Sequence, residues 1–314
     1  SKLGREETVF DLFLQMKKQG IKPDRVTALC MITACGNMGD IKEGRLMHAY
    51  ICRCFLRQDM ILDSALIDMY AKCGDTYDAS RIFNMLSFKD VVTWGAMIAC
   101  YARHGHGLAA IGLFLQMQDE GMSSNNVVFS SVLIACASIR AMEDGWLFHS
   151  QIIEASVEED LVIIGALVDM YSKCGKLEDA QTLFRNTMNS KDDVLWGSII
   201  SGYMYNNDHQ KALEMFEMML SEGIKPTKVI FFCVLKAASC LGHLIWCMLV
   251  HDQLLHRGFE QEHMIMNAVI DMYAKCGLLE EAHKIFDGEM KQDIISWAAL
   301  MGGYAQLGDP HSVS

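Results

Sequence analysis

The chain has 314 residues, 51% of them hydrophobic, and sets 27 Lys and Arg against 39 Asp and Glu for a formal net charge of −12. That balance excludes a protein that coats nucleic acid by bulk charge, because neutralising phosphates takes Lys and Arg. A narrow basic track on one face is still compatible with it, and the acidic excess otherwise reads as a solvated outer surface. Among the 12 cysteines there is no Cys-x-x-Cys, and the chain has no His-x-Glu, so zinc-site and zinc-deaminase spacings are excluded too.

Residues 1–24 predict the end of a helical unit. Val9, Phe13 and Met16 share one helical face, and Gly20 stops the helix before Ile21-Lys22-Pro23-Asp24. Glycine suits that place because it accepts the left-handed conformation just past a helix end. The same stop returns at Gly121 and Gly223.

From residue 25 the chain repeats itself. Asp68 to Gly74 (DMYAKCG) returns as Asp169 to Gly175 (DMYSKCG) and as Asp271 to Gly277 (DMYAKCG), 101 and then 102 residues on. Such a period means stacked units and not one closed core. Inside it, Ala is followed four residues later by Phe at Ala79/Phe83, Ala110/Phe114, Ala180/Phe184, Ala212/Phe216 and Ala282/Phe286. Gly44/His48, Gly145/His149 and Cys247/His251 mark a second phase. The long period therefore divides into units 25–59, 60–90, 91–125, 126–160, 161–192, 193–227, 228–262 and 263–293, with partial units at 1–24 and 294–314, all in one array over 1–314.

Each unit predicts two helices. In 60–90, Ile61, Ala65, Leu66, Met69 and Tyr70 give the three- and four-residue apolar spacing of one, ended by Gly74, and Ala79, Ile82, Phe83 and Leu86 give the other. The small alanine lets helices approach, and the phenylalanine one turn on fills the space between them. The β-branched runs 127–133 and 229–235 fall in the phase of first helices, so the expectation is an all-α stack of helix pairs. Residues 229–250 approach a membrane-spanning length of apolar sequence, but Lys236, Gly242 and His243 interrupt them, which predicts a buried helix pair and no membrane contact.

Cys73, Cys174 and Cys276 share one repeat phase and Cys35 and Cys136 another, which predicts small buried thiols in a reducing compartment. His48, His149 and His251 recur without a second ligand in phase, so no metal site is expected. With no nucleophile, base and orienter in any recognisable arrangement and no Gly-rich phosphate loop, neither enzymatic activity nor a cofactor is expected.

The alternation of 35-, 35- and 31-residue units, with GIKPD (20–24), ALIDMYAKCG (65–74), VVTWGAMIACYARHG (91–105) and NAVIDMYAKCG (267–277), resembles pentatricopeptide repeat (PPR) proteins of the plant subclass built from P, L and S motif triplets. The resemblance implies an α-solenoid that binds single-stranded RNA in mitochondria or chloroplasts, about one base per repeat. Any targeting peptide is expected to lie outside the chain, which starts at Ser1 in mid-pattern.

In that family the fifth and last residues of a repeat discriminate the base, and the second, usually aliphatic, sandwiches it. Carried over, the sandwiching residues are Val26, Ile61, Val92, Val127, Val162, Val194, Val229, Met264 and Ile295. Ser64/Asp90 then resembles a guanine reader and Asn267/Asp293 a uracil reader, with Ser130, Asp160, Asn125 and Asp192 as further base contacts. Gly95, Gly165 and Gly197 depart from the family's Asn, Thr or Ser, and Leu29 and Phe232 hold the fifth position in L-type units. Lys72, Arg103, Lys173 and Lys275, at the thirteenth position, would meet phosphates.

The triplet subclass implies site recognition in C-to-U editing of organellar transcripts. RNA-editing factors, or a deaminase recruited in trans or carried on a further C-terminal domain, would then be partners beside the RNA. The competing expectation, from the acidic balance and the bare glycines, is a protein-interaction scaffold without RNA readout.

Overall fold

The computed structural model describes residues 3–53, 59–157, 160–187, 192–288 and 292–306. Among them the regular structure is helical throughout, and the chain divides into two compact units, Ser1–Ile163 and Ile164–Ser314. The first holds α1 (Leu3–Lys18), α2 (Arg25–Met38), α3 (Ile41–Arg53), α4 (Met60–Lys72), α5 (Thr76–Met85), α6 (Val91–Arg103), α7 (Gly107–Asp119), α8 (Asn126–Ile139), α9 (Met142–Glu154) and the start of α10 (Leu161–Lys173). The second continues with α11 (Leu177–Asn186), α12 (Asp193–Tyr205), α13 (His209–Ser221), α14 (Lys228–Leu241), α15 (Leu244–His256), α16 (His263–Lys275), α17 (Leu279–Gly288) and α18 (Ile294–Gln306). The β-branched runs at 127–133 and 229–235 lie inside α8 and α14. No helix among the described residues is long and apolar enough to cross a membrane.

Short polar side chains start most of the even-numbered helices. Asp24, Asp59, Asp90, Asn125 and Asp192 each accept a hydrogen bond from a backbone N–H in the first turn of the helix that follows. Such N-caps satisfy donors that have no partner within the helix. Gly74, Gly175 and Gly277 end their helices with φ near 80°, a region open to glycine and strained for other residues.

Within each unit the first helices of the pairs pack on one another: α2 on α4, α4 on α6 and α6 on α8, and likewise α12 on α14, α14 on α16 and α16 on α18. The second helices wedge between successive first helices, α5 against α4 and α6, α13 against α12 and α14, α15 against α14 and α16. Phe83, Phe184 and Phe286 each meet the tryptophan that follows, Trp94, Trp196 and Trp297, edge to face at 4.9, 4.8 and 4.7 Å between ring centroids. Phe114 and Phe216 meet Phe129 and Phe231 in the corresponding place, both at 5.9 Å. The Ala-x-x-x-Phe phase is thus the link that couples one helix pair to the next.

The recurrent histidines belong to this packing. His48 shares a hydrogen bond with the Tyr70 hydroxyl at 2.9 Å, and His251 with Tyr273 at 3.0 Å. Cys35 and Cys136 are fully buried as expected, with burial pushing the Cys35 thiol up to about 12. Cys73, Cys174 and Cys276 are only half-buried, because they stand where their helices end and the neighbouring turn leaves the sulfur partly open.

Candidate functional site

Each first helix turns one edge of its opening turn to solvent. The second residue of the turn is exposed, and the third, whose side chain projects about 100° further round the helix, is buried everywhere except at the half-buried Thr27. Val26, Ile61, Val92, Val127 and Val162 in the first unit, and Val194, Val229, Met264 and Ile295 in the second, are 55–72% exposed. Beside them Leu62, Thr93, Val128, Ile163, Leu195, Ile230, Ile265 and Ser296 are buried. The second-position aliphatics therefore do not pack the helix starts. Apolar groups recurring at one solvent-facing position are the kind of surface that a ligand covers.

The capping acids stand next to these aliphatics. Asp90 accepts hydrogen bonds from the Thr93 amide and hydroxyl at 2.8 and 2.7 Å, both at Oδ1. The Thr93 hydroxyl also lies 2.8 Å from the Ser64 hydroxyl. Because Thr93 gives its proton to Asp90, Ser64 is the donor of that bond. Fifth residue, capping acid and the buried hydroxyl of Thr93 thus form one chain, and Asp90 Oδ2 keeps no hydrogen-bond partner among the described residues.

Asn267 and Asp293 meet directly. The amide nitrogen of Asn267 lies 3.0 Å from both carboxylate oxygens, while Asp293 also caps α18 through Ile295 and Ser296 at 2.9 Å each. The Ser296 amide first, and the Asn267 amide after it, hold the Asp293 carboxyl below the usual carboxylate range. Asn267 is only 4% exposed, and its Oδ1 has no hydrogen-bond partner among the described residues.

The other fifth positions are arranged differently. Ser130 donates to the carbonyl of Val127 at 3.1 Å and makes no bond to Asp160. Gly95 and Gly197 face the third residue of the next first helix. A Cβ built on Gly95 would stand 3.2 Å from Val128 Cγ2, and one on Gly197 3.6 Å from Ile230 Cγ1. Where Thr93 provides a hydroxyl the fifth residue is polar; where Val128 or Ile230 provides bulk it is glycine. Asn125 and Asp192 cap α8 and α12 through Val128 and Leu195, at 3.0 and 2.8 Å.

A further set of contacts joins the two ends of single units. Arg25 Nε reaches Asp59 Oδ2 at 2.7 Å, Asn126 Nδ2 reaches Asp160 Oδ2 at 2.6 Å, and Lys228 Nζ reaches Glu262 Oε1 at 2.6 Å. Neither Thr93 nor these three donors was singled out from the sequence. The available signal was a donor side chain recurring at residues 25, 126 and 228, at the same long period as the DMYxKCG motif.

Three of the four predicted phosphate contacts are already paired. Lys72, Lys173 and Lys275 bond Asp68, Asp169 and Asp271 of their own motifs at 2.7, 2.8 and 2.7 Å. Exposed pairs of this kind are worth at most about 1 kcal/mol, so an incoming phosphate could share or displace the aspartate. Arg103 is exposed and makes no ion pair among the described residues.

This arrangement has counterparts. A model described as the PPR repeat family matches residues 89–138, and one described as the PPR repeat matches 64–91, 162–187, 194–224 and 265–288. A chloroplastic pentatricopeptide repeat-containing protein of Arabidopsis thaliana is 32% identical over 98% of this chain and 50% of its own length. The chain belongs to the pentatricopeptide repeat family. Two mitochondrial members from the same plant are 32% and 33% identical over 97% and 92% of the chain, and over 30% and 45% of their own lengths. The chain thus spans half or less of these relatives. Among solved structures, the pentatricopeptide repeat protein PPR10 in complex with an 18-nt psaJ RNA element superposes with a TM-score of 0.71 over 98% of this chain and 47% of that one, at 21% identity. PPR10 from maize gives 0.69 over 99% and 51%, at 19% identity. At these identities the likeness establishes a common α-solenoid fold.

Proposed function

We propose that the chain binds single-stranded RNA in a plant organelle, by sandwiching bases between second-position aliphatics of successive repeats. The observation that carries this reading is the solvent exposure of all nine of those residues, seven of them beside a capping Asp or Asn with hydrogen-bonding capacity. The RNA held by PPR10, and the chloroplastic and mitochondrial names of the relatives, support it. Ser64/Asp90 is the guanine-reading pair and Asn267/Asp293 the uracil-reading pair; Asn125 and Asp192 offer lone acceptors where the fifth residue is glycine. Lys72, Arg103, Lys173 and Lys275 serve the phosphates.

The units follow the P, L and S triplet pattern, and with it the role is recognition of C-to-U editing sites, with editing factors or a deaminase supplying the chemistry. Selection from a random single-stranded RNA pool tests the reading. Guanine and uracil should be enriched at two positions, the first preference relaxing in Asp90→Ala and the second in Asn267→Ala. A chain that enriches no RNA but captures a protein partner refutes it in favour of the scaffold.

A further inference from the structure

The units 60–90 and 126–160 carry the same fifth and last residues, Ser64/Asp90 and Ser130/Asp160, yet the structure treats the two carboxylates differently. A capping aspartate has two oxygens. One, Oδ1, is occupied by the backbone of the next helix: Thr93 at Asp90, Ile61 at Asp59, Val162 at Asp160, Leu195 at Asp192. What distinguishes the repeats is the other oxygen. At Asp90 and Asp192, Oδ2 has no partner among the described residues, and the first residues of those units are Met60 and Leu161, which have no donor to offer.

At Asp59 and Asp160, Oδ2 is taken by the first residue of the same unit, Arg25 at 2.7 Å and Asn126 at 2.6 Å. Glu262 is engaged by Lys228 at 2.6 Å through Oε1 alone, since it makes no side-chain cap bond to the helix that follows. The three clasped units begin at residues 25, 126 and 228, once in every long period. When the second oxygen is held by a residue outside the reading pair, a base edge must first displace a charge-assisted or short hydrogen bond, whereas at Asp293 that oxygen is met by Asn267, its own partner in the pair.

We infer that Arg25 and Asn126 are specificity-determining residues, each withholding its repeat's last carboxylate from the bound nucleotide, with Lys228 engaging one oxygen of Glu262 at the corresponding place. This rests on the RNA-binding reading. The clasp at 126–160 is the most telling of the three, because Ser130/Asp160 would otherwise duplicate the guanine-reading pair two repeats earlier. Ser130 fits the silent state: it is turned to its own helix at Val127, and the residue in the repeat phase of Thr93 is the apolar Ile163, which has no hydroxyl to offer.

The test is a gain of function. RNA is selected with the unsubstituted chain, Asn126→Ala and Asn126→Met, the last copying Met60. The four nucleotides at the position two from the Ser64/Asp90 guanine are then compared by competition binding, with thermal unfolding as a check on the fold. The unsubstituted chain should show no preference there. Both variants should acquire a preference of about fivefold to tenfold for one base, the worth of one freed charge-assisted hydrogen bond, while guanine at the Ser64/Asp90 position is retained. Retention of that guanine without any new preference overturns the inference and leaves the RNA reading standing, as does a preference already present in the unsubstituted chain. Failure to select any RNA overturns both.

Discussion

Replacing Ile61, Val92 and Val127 together by serine separates a ligand-binding role from a structural one. These side chains are 55%, 58% and 62% exposed, so little of their apolar surface contributes to folding. Fully burying a Val or Ile is worth about 1.5–3 kcal/mol. If bases cover the exposed fraction, somewhat more than half, each residue contributes about 1 kcal/mol to binding and the three together about 3 kcal/mol, which is on the order of a 100-fold rise in Kd. The folded state loses only the minor buried fraction, and serine costs a few tenths of a kcal/mol of helix propensity per site at most. Fluorescence anisotropy with a selected RNA and urea unfolding of the free protein read the two effects separately. An unchanged Kd beside a loss of several kcal/mol in stability would refute the reasoning, since it would make the aliphatic row part of the core.

Two further outcomes follow from the packing. Phe83→Ala removes a buried ring that meets Trp94 at 4.9 Å and should destabilise the chain by about 3–5 kcal/mol, whereas Tyr77→Ala, 74% exposed, should stay within about 0.5 kcal/mol; equal effects in urea titrations would contradict the inter-repeat role of the phenylalanine. His48 and His251 are both held below the ordinary histidine value, chiefly by burial, with the Arg81 cation adding to the effect at His48. Their neutral forms are favoured in the folded chain, so protonation favours unfolding. Stability should fall as pH drops below about 6.5, where an unfolded histidine takes up its proton. The His48→Gln/His251→Gln double variant should flatten that slope between pH 7.5 and 5.5, and an undiminished slope would assign it to other groups.

The helices were legible because their signals are local. Asp24, Asp90 and Asp192 each stand one residue ahead of an apolar run of 3.6 periodicity, and Gly74, Gly175 and Gly277 end theirs in the left-handed conformation. The pairing of Lys72 with Asp68 is likewise four residues long and could be read from spacing alone. What the sequence could not show is where side chains separated by a whole repeat come to lie. Asn126 and Asp160 are 34 residues apart and meet only because two helices and their turns return the chain to its starting level. The burial of Asn267 and the turning of Ser130 to Val127 depend on the next helix pair, which a pattern of fifth and last residues does not describe. Cys73 is half-buried where a buried thiol was expected for a related reason: its phase marks a packed helix, but it sits at the point where that helix stops.

The aspartate in each DMYxKCG motif bears on how RNA binding should respond to ionic strength. Lys72, Lys173 and Lys275 each already carry a fixed counter-charge at 2.7–2.8 Å. A phosphate that replaces a tethered aspartate releases fewer mobile ions than one that neutralises a bare lysine, and mobile-ion release is what makes most nucleic-acid binding weaken steeply with salt. With a net charge of −12 around these shielded lysines, a long polyanion gains little from arriving anywhere except in register with the aliphatic row. If RNA binds as proposed, the motif lowers the background of sequence-independent adhesion without removing a single cation from the surface.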